Sequence, residues 1–241
     1  MSQNLTHASL SLESPTATRS DTAARKPGRP KGGRSAETRE LILDAAEHLF
    51  ADRGYDGASI RDVAAQAGLQ VHSIGYHFGP KESLFDAVVA RRAEIMTRLR
   101  CEALDTARAQ AGAQTIPVRE LVRAYVSPFI KSASHGDPGW RNYAALMGRL
   151  ANSPLGTEII AKHYDETARD YISELKRSLS GADPDDVVEG FSAMVAAMLG
   201  ICAATGRPQR LSGRDMPRTP EDSFETLVRF HTAGFLALAI P

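Results

Sequence analysis

Side chains that hydrogen-bond or stack recur with helical spacing between residues 72 and 77. His72, Ser73, Tyr76 and His77 occupy positions i, i+1, i+4 and i+5, so they share one side of a short helix. A rigid helix with such a polar outer face fits the major groove of DNA, where the base edges present hydrogen-bond donors and acceptors. The spacing therefore indicates contact with double-stranded DNA.

The residues before this helix predict two further helices that hold it in place. Ser35 begins a helix that ends at Gly54, and Ser59 opens a second helix, with Asp62 completing a variant of the capping box. Gly68 ends the second helix and allows the tight turn of a helix-turn-helix. The third helix covers roughly residues 70–78. Three apolar side chains have the spacing to pack it onto the other two: Leu69, Ile74 and Phe78.

A longer motif extends across this unit. It consists of Ser59-Ile-Arg-Asp-Val-Ala-Ala-Gln-Ala-Gly68 followed by Ile74-Gly-Tyr-His-Phe-Gly-Pro-Lys-Glu-Ser-Leu84. In order and spacing this motif resembles the N-terminal domain of the TetR family of transcriptional repressors, over about residues 36–90. The resemblance implies an all-helical homodimer in which each subunit offers one recognition helix and one ligand cavity.

The resemblance also implies roles for individual residues by position. Four residues take positions that face DNA phosphates: Ser59, Tyr76, His77 and Lys81. Three take positions that face the bases: Val71, His72 and Ser73. Tyr76 has an alternative, which is to pack on the first helix. Gln70 and Gly75 depart from the family pattern, since Ser and Tyr are common there, so we expect a different helix start and one phosphate contact fewer.

The first 34 residues form a basic arm with almost no large apolar side chains. Residues 1–35 hold six basic and two acidic side chains, a net charge of +4, whereas the whole chain is neutral. Such a segment cannot bury enough surface to fold alone, so we predict disorder over residues 1–34. The run Lys26-Pro-Gly-Arg-Pro-Lys31 resembles an AT-hook core, which implies that Arg29 and Lys31 contact an A·T-rich minor groove. The alternative is a solubilising tail.

The rest of the sequence is typical of helices. Aromatic residues make up only 6% of the chain and Ala dominates its apolar residues, which favours helix over strand. A long helix is predicted from Lys81, further helical patterns extend to Leu238, and a loop is expected over residues 206–219. We therefore predict an all-α protein. It has a three-helix helix-turn-helix domain over residues 35–82 and a larger helical domain for ligand binding and dimerisation over residues 83–241.

The larger domain contains aromatic, Met and Arg side chains suited to a ligand cavity. These candidates are Met96, Phe129, Trp140, Tyr143, Met147, Arg149, Tyr164, Met194 and Met198. Arg149 could pair with a ligand carboxylate or with a nearby Glu. Aromatic and Met side chains at helical spacing are also common in cores. The segments Arg141-Asn-Tyr143 and Arg229-Phe-His-Thr-Ala-Gly-Phe235 resemble the branch of the TetR family that includes fatty-acid-responsive regulators.

The last two long helices predicted are too apolar to have one side in water. Their large apolar side chains, with one His, are Phe191, Val195, Leu199, Cys202, Phe224, Leu227, His231 and Phe235. Small residues between them allow close approach of another helix. A two-fold four-helix interface would bury these apolar side chains. A dimer is also the expected assembly, since cyclic dimers are the commonest oligomers. The alternative is that both helices pack only within one subunit.

Other kinds of site are not indicated by the sequence. Cys101 and Cys202 have no disulfide or zinc spacing, which suits a reducing cytoplasm, and His163 and His231 lack metal-site partners. No nucleophile elbow, Gly-rich phosphate loop or His-Glu metal motif occurs, so we expect no catalytic residue, metal or cofactor. The longest uncharged run, residues 190–206, is short for a membrane span, and no membrane contact is expected.

Together these patterns predict a cytoplasmic regulator of transcription. As a homodimer it would bind a pseudo-palindromic operator in double-stranded DNA and respond to a small hydrophobic effector, acyl or aromatic in character. Repression that the effector releases is the expected mode. Two alternatives stay open: a transcriptional activator, and a non-specific architectural DNA-binding protein whose binding depends on salt but not on sequence.

Overall fold

The computed structural model describes residues 31–151, 153–203, 206–216 and 218–240, with side chains from Ser35 onward. Within these residues the chain forms ten helices and no strand, which confirms the all-α prediction. The N-terminal helices are α1 (Lys31–Gly57), α2 (Ile60–Ala67) and α3 (Val71–Phe78). The others are α4 (Lys81–Ala111), α5 (Val118–His135), α6 (Gly139–Leu150), α7 (Pro154–Ser178), α8 (Pro184–Cys202), α9 (Arg207–Ser212) and α10 (Pro220–Leu238).

The first three helices form the predicted helix-turn-helix unit. The Ser59 hydroxyl accepts a hydrogen bond from the Asp62 N–H, and the Asp62 carboxylate accepts one from the Ser59 N–H, so the capping box is confirmed. Gly68 ends α2 with a φ of 67°, a left-handed conformation that glycine adopts without strain. Ile74 of α3 is fully buried, and Leu69 and Phe78 pack at the edge of the core.

The first helix differs from its prediction at its start. It begins at Lys31, so Ser35 lies inside α1, and the prediction that Ser35 caps it is wrong. Residues 31–34, predicted as part of the disordered arm because they have no large apolar side chain, are helical instead. Gly54 interrupts the helix with a φ of 74°, as its predicted role as a stop requires. Arg29 and the rest of residues 1–30, which were predicted to be disordered, lie outside the described residues, whereas Lys31 is the first residue of α1; the minor-groove contacts of Arg29 and Lys31 stay predictions.

The larger domain contains α4 to α10. The long helix α4 begins at Lys81 as predicted and runs for 31 residues. The segment 206–219, predicted as a loop, contains the short helix α9, which lies between Gly206 and Gly213, two glycines with positive φ. α9 buries none of its side chains, so an apolar periodicity could not have revealed it.

One hydrophobic core extends through both parts of the chain. α1 packs against α6, α4 packs against α5 and α7, and α10 packs against α5 and α8. Phe50 of α1 and Phe85 of α4 meet edge to face, with ring centroids 4.8 Å apart. Because packed cores do not deform continuously, a shift of α4 or α6 must be accommodated by α1.

An ion cluster around the buried Glu47 carboxylate joins α1, α4 and the segment that precedes α6, and it is made of Glu47, Arg91, Arg92 and Asp137. The Glu47 carboxylate, 1% exposed, accepts hydrogen bonds from Arg91 Nη2 at 2.6 Å and from Arg92 Nε and Nη2 at 3.1 Å. Arg92 also donates to the Asp137 carboxylate at 2.7 and 2.8 Å. Burial alone would lower the pKa of Arg92, but these hydrogen bonds outweigh it and raise the pKa. The guanidinium therefore stays charged.

Gly139, the first residue of α6, closes over this cluster. A Cβ at this position would collide with the Arg92 guanidinium and the Glu47 carboxylate. The Gly139 N–H donates to the Asp137 carboxylate at 2.9 Å. The absence of a side chain at Gly139 thus allows α6 to begin directly against the ion pairs.

We expect Glu47→Gln to lower the free energy of unfolding by about 3 kcal/mol, because it leaves two guanidinium groups without their shared buried carboxylate. Urea titration followed by circular dichroism measures the change. Asp44→Asn is the matched control, since Asp44 pairs with the same Arg91 at 2.7 Å but is exposed, and its loss should stay below about 1 kcal/mol. Equal losses in the two variants would contradict the anchoring role of Glu47.

Candidate DNA interface and ligand cavity

The outer face of α3 is accessible. Tyr76 is 84% exposed, Val71 and His72 are exposed, and Ser73 and His77 are half-buried. The rings of Tyr76 and His77 meet edge to face, with centroids 5.2 Å apart. This exposure excludes the alternative in which Tyr76 packs on the first helix. All five residues lie where a DNA groove can reach them, and their contacts with DNA stay a prediction.

The start and the middle of α3 have the two departures that the sequence indicated. Gln70 stands at the N-cap, and its side chain makes no capping hydrogen bond. A Cβ added to Gly75 would meet no atom within 4 Å. α3 therefore begins without a side-chain cap, as expected from Gln70, and the loss of one phosphate contact at Gly75 stays a prediction.

The two residues predicted at helix N-termini have different surroundings. Lys81 Nζ lies 4.2 Å from the centroid of the Tyr55 ring, a cation–π contact that positions it. Burial and the hydrogen bond to Glu82 raise the pKa of Tyr55 to about 12, so Tyr55 stays neutral. The Ser59 hydroxyl is already bound to Asp62. The phosphate contacts of Lys81 and Ser59 stay predictions.

A large cavity lies in the C-terminal part of the chain. Its volume is about 1450 Å³, and residues of α4 to α8 line it. Five of the predicted ligand-binding residues are among them: Phe129, Met147, Arg149, Tyr164 and Met198. This volume exceeds the roughly 300–1,000 Å³ that is usual for small-molecule sites, so a ligand with an extended apolar body can be accommodated.

The other four predicted ligand-binding residues belong to the core. Met96, Trp140, Tyr143 and Met194 are buried but do not line the cavity, which corrects their assignment to the ligand. The Tyr143 hydroxyl lies 2.5 Å from that of Tyr164, so it supports the cavity wall from behind. Trp140 packs instead against the Arg92 guanidinium, 4.9 Å from its ring centroid.

Arg100 is the cavity residue that sequence analysis missed. Its guanidinium carbon lies 3.8 Å from the centroid of the Tyr125 ring, and its Nε donates to the Tyr125 carbonyl oxygen at 3.1 Å. Its Nη2 lies 3.8 Å from the Met198 sulfur. The sequence did indicate its buried position, because Arg100 is four residues from both Met96 and Leu104 and so lies on the apolar side of α4.

Arg149 lines the cavity but its guanidinium is bound elsewhere. Its Nη2 donates to the backbone carbonyl oxygen of Asp52 in α1 at 3.1 Å. This contact connects α6, which lines the cavity, with the part of α1 that precedes the Gly54 kink. This contact uses one N–H of the guanidinium, so the pairing of Arg149 with a ligand carboxylate stays a prediction.

Most of the predicted dimer residues are buried within one chain. Five of them are at most 5% exposed: Phe191, Leu199, Cys202, Leu227 and Phe235. The other three, Val195, Phe224 and His231, are half-buried, and burial lowers the pKa of His231 so that it is neutral at pH 7. Three of the eight, Phe191, Val195 and Leu199, line the cavity. The five buried side chains therefore pack inside the subunit, which corrects their assignment to a subunit interface, whereas the interface role of Val195, Phe224 and His231 stays a prediction.

The outward side of α10 carries a different set of apolar residues. Phe230 is 73% exposed and Leu236 is 50% exposed. Ala233, Gly234 and Ala237 are also exposed, so a second helix could approach closely here. Large exposed apolar side chains on a helix that is otherwise packed are typical of a contact surface.

Neither a metal centre nor a membrane span is found in the described part of the chain. No group of three or more His, Cys, Asp or Glu side chains there could hold a metal ion. None of the helices there is long and apolar enough to cross a membrane. Cys101 and Cys202 are free, and burial raises the pKa of the Cys202 thiol to about 12, so it stays protonated.

Two family models match the chain, one in each part of the fold. The model described as "Bacterial regulatory proteins, tetR family" matches residues 42–88 and includes all of α2 and α3. The model described as "Tetracyclin repressor-like, C-terminal domain" matches residues 123–234. The matched segments together make up more than half of the chain.

Two curated relatives match this chain over part of its length. The HTH-type transcriptional repressor AcnR of Corynebacterium glutamicum is 37% identical over 70 residues, 27% of this chain and 37% of AcnR. The HTH-type transcriptional activator FasR of Mycolicibacterium smegmatis is 31% identical over 120 residues, 47% of this chain and 51% of FasR. The match thus spans about half, or less, of the length of these relatives.

A solved structure has the same fold over most of its length. The ketosteroid transcriptional regulator KstR2 of Mycobacterium tuberculosis matches with a TM-score of 0.57 and 18% identity, covering 81% of this chain and 93% of KstR2. The helix-turn-helix unit, the helical C-terminal part and the two family matches agree with one another. The chain belongs to the TetR family of bacterial transcriptional regulators.

Proposed function

We propose that the protein is a ligand-responsive repressor of transcription. As a homodimer it binds a pseudo-palindromic operator and leaves it when a small hydrophobic molecule occupies the cavity. The observation that carries this proposal is that the exposed polar face of α3 and the cavity of about 1450 Å³ belong to one continuous core. A DNA-reading helix and a ligand site in one packed unit are what an effector-controlled regulator requires.

Two contacts connect the cavity with the helices that carry α3. On α6, Arg149 donates to the Asp52 carbonyl of α1. On α4, Arg100 lines the cavity, and Arg92, about two turns earlier, is bound to Glu47 of α1. A ligand that displaces α4 or α6 therefore displaces α1. The ligand favours a dimer whose recognition helices are wrongly spaced for successive major grooves, which are about 34 Å apart.

An activator is the second candidate function. FasR, which is named an activator, is similar to this chain over nearly half of the chain's length. The relatives named above are regulators of transcription, and the proposal includes no enzymatic activity. A bacterial operator lies in the cytoplasm, so the proposal implies a cytoplasmic location.

The recognition helix is tested with DNA selected from a random pool by the full chain. We expect a two-fold related consensus, and we expect the double variant His72→Ala, Ser73→Ala to lose about 1–3 kcal/mol of discrimination per base contact. Lys81→Met should weaken binding to all sequences alike and reduce the slope of log affinity against log salt by about 0.9, as one phosphate contact is lost. His48→Ala, at an exposed position of α1, should change neither property.

Each alternative has its own outcome in this experiment. A double variant that keeps the original ranking of sequences would refute the base-facing positions of His72 and Ser73. Selection without any consensus would favour the architectural DNA-binding protein. A reporter gene behind the selected operator separates the two modes of regulation, because deleting the regulator raises expression under repression and lowers it under activation.

The outward side of α10 is the proposed dimer surface. Phe230→Asp should give a folded monomer, because Phe230 is 73% exposed and an unpaired charge would be buried between two copies. Light scattering measures the mass, and thermal unfolding followed by circular dichroism checks the fold. Leu41→Asp, at a 52% exposed position of α1, is the matched control and should stay dimeric. A dimeric Phe230→Asp protein would refute this surface.

A further inference from the structure

Arg100 is a buried cation without an anionic partner. The residue is 2% exposed, and in the described part of the chain no carboxylate oxygen lies within 4.0 Å of its guanidinium nitrogens. Its two hydrogen-bond acceptors, the Tyr125 carbonyl oxygen and the Met198 sulfur, are uncharged. Burying a full charge among neutral groups is strongly unfavourable. Something other than the described residues is therefore needed to balance the Arg100 charge.

Arg92, eight residues earlier in the same helix, has the opposite surroundings. Its guanidinium is also buried, but it is bound to two carboxylates, those of Glu47 and Asp137. Arg92 thus belongs to a complete ion cluster that holds the fold together. Arg100 has no such cluster, and it faces the cavity instead.

Three ionisable groups close to Arg100, those of Tyr125, Tyr164 and Cys202, are neutral near pH 7. Burial raises the pKa of Tyr164 to about 12 and the pKa of Cys202 to about 12, and it also raises the pKa of Tyr125. The ring centroids of Tyr125 and Tyr164 lie 3.8 and 5.7 Å from the guanidinium carbon. These rings stabilise the cation through their π-faces but supply no negative charge.

The cavity as a whole is positively charged. Five of its lining residues are cationic: Arg100, Arg149, Arg169, Lys176 and Arg177. The acidic lining residue, Asp165, is already bound to Arg169 at 2.9 Å. Much of the remaining lining is apolar and includes Phe129, Ile172 and Leu199. An anionic ligand with an apolar body matches both properties.

We propose that the cavity binds an amphipathic carboxylic acid whose carboxylate pairs with Arg100. A planar guanidinium forms short, charge-assisted hydrogen bonds with a carboxylate, and these are stronger in a buried site than in water. The apolar body of the ligand lies against Phe129, Ile172 and Leu199. The role of this acid as the effector rests on the proposed function, whereas its binding depends only on the cavity.

The test compares acids with neutral amides of the same shape. Decanoate with decanamide probes an acyl body, and naphthoate with naphthamide probes an aromatic body. Isothermal titration of the full chain should give, for one of the two pairs, an acid that binds roughly tenfold to a hundredfold more tightly than its amide. The pair that shows this preference identifies the class of apolar body.

Arg100→Met removes the charge and keeps an apolar side chain of similar reach. We expect the acid to lose its preference over the amide, while the amide binds as before. The unfolding temperature without ligand should be unchanged or higher, because an unpaired buried charge has been removed. Arg98→Met, at an exposed cation of α4 that pairs with Glu102 and does not line the cavity, is the matched control and should keep the preference for the acid.

Three results would overturn the inference. In the first, the amides bind as tightly as the acids. In the second, Arg100→Met keeps the preference for the acid. In the third, neither acid binds in the millimolar range.

Operator release by the acid is measured separately from binding. An acid that binds through Arg100 and leaves operator binding unchanged refutes the effector role and supports this inference. If neither acid shows an Arg100-dependent preference while a neutral ligand releases the operator equally from the unaltered chain and from Arg100→Met, this inference is overturned and the proposed function stands.

Discussion

The buried negative charge of Glu47 is the constraint on which the rest of the structure depends. Its carboxylate can lie on the core side of α1 because Arg91 and Arg92 of α4 neutralise its charge. Arg92 donates two further hydrogen bonds to the Asp137 carboxylate. These ion pairs fix the register between α1, α4 and the start of α6. Since α1 packs on α2, and α2 on α3, the position of the recognition helix relative to the cavity follows from this register.

The two buried guanidinium groups of α4 have different partners and different roles. Arg92 has its counter-ions within the chain and joins the helix-turn-helix unit to the larger domain. Arg100 lies about 12 Å further along the helix and has only neutral neighbours. A ligand that brings a negative charge to Arg100 acts on the same rigid element that holds Glu47. Ligand binding at Arg100 therefore acts on the same helix as the Arg92–Glu47 ion pair, which positions α1 and, through it, α3.

Short-range patterns in the sequence predicted much of the fold. The Ser59 capping box, the turn at Gly68 and the start of α4 at Lys81 depend on residues within a few positions of one another, so they could be recognised without tertiary structure. The start of α1 at Lys31 was missed, because residues 31–34 have no large apolar side chain that could show a helical periodicity. The helix α9 was missed because it buries no side chain.

By itself, the sequence determined the helix-turn-helix unit, the all-α class and the outward polar face of α3, because each follows from helical periodicity and local caps. Only the tertiary structure decided which buried side chains face a cavity and which face the core. Phe191 and Leu199 had the same apolar pattern that an interface residue has, but the neighbouring helices place them at the cavity. Periodicity identifies which side of a helix is buried but not what that side faces. The position of Arg100 at the cavity could therefore be recognised only from the helices around it.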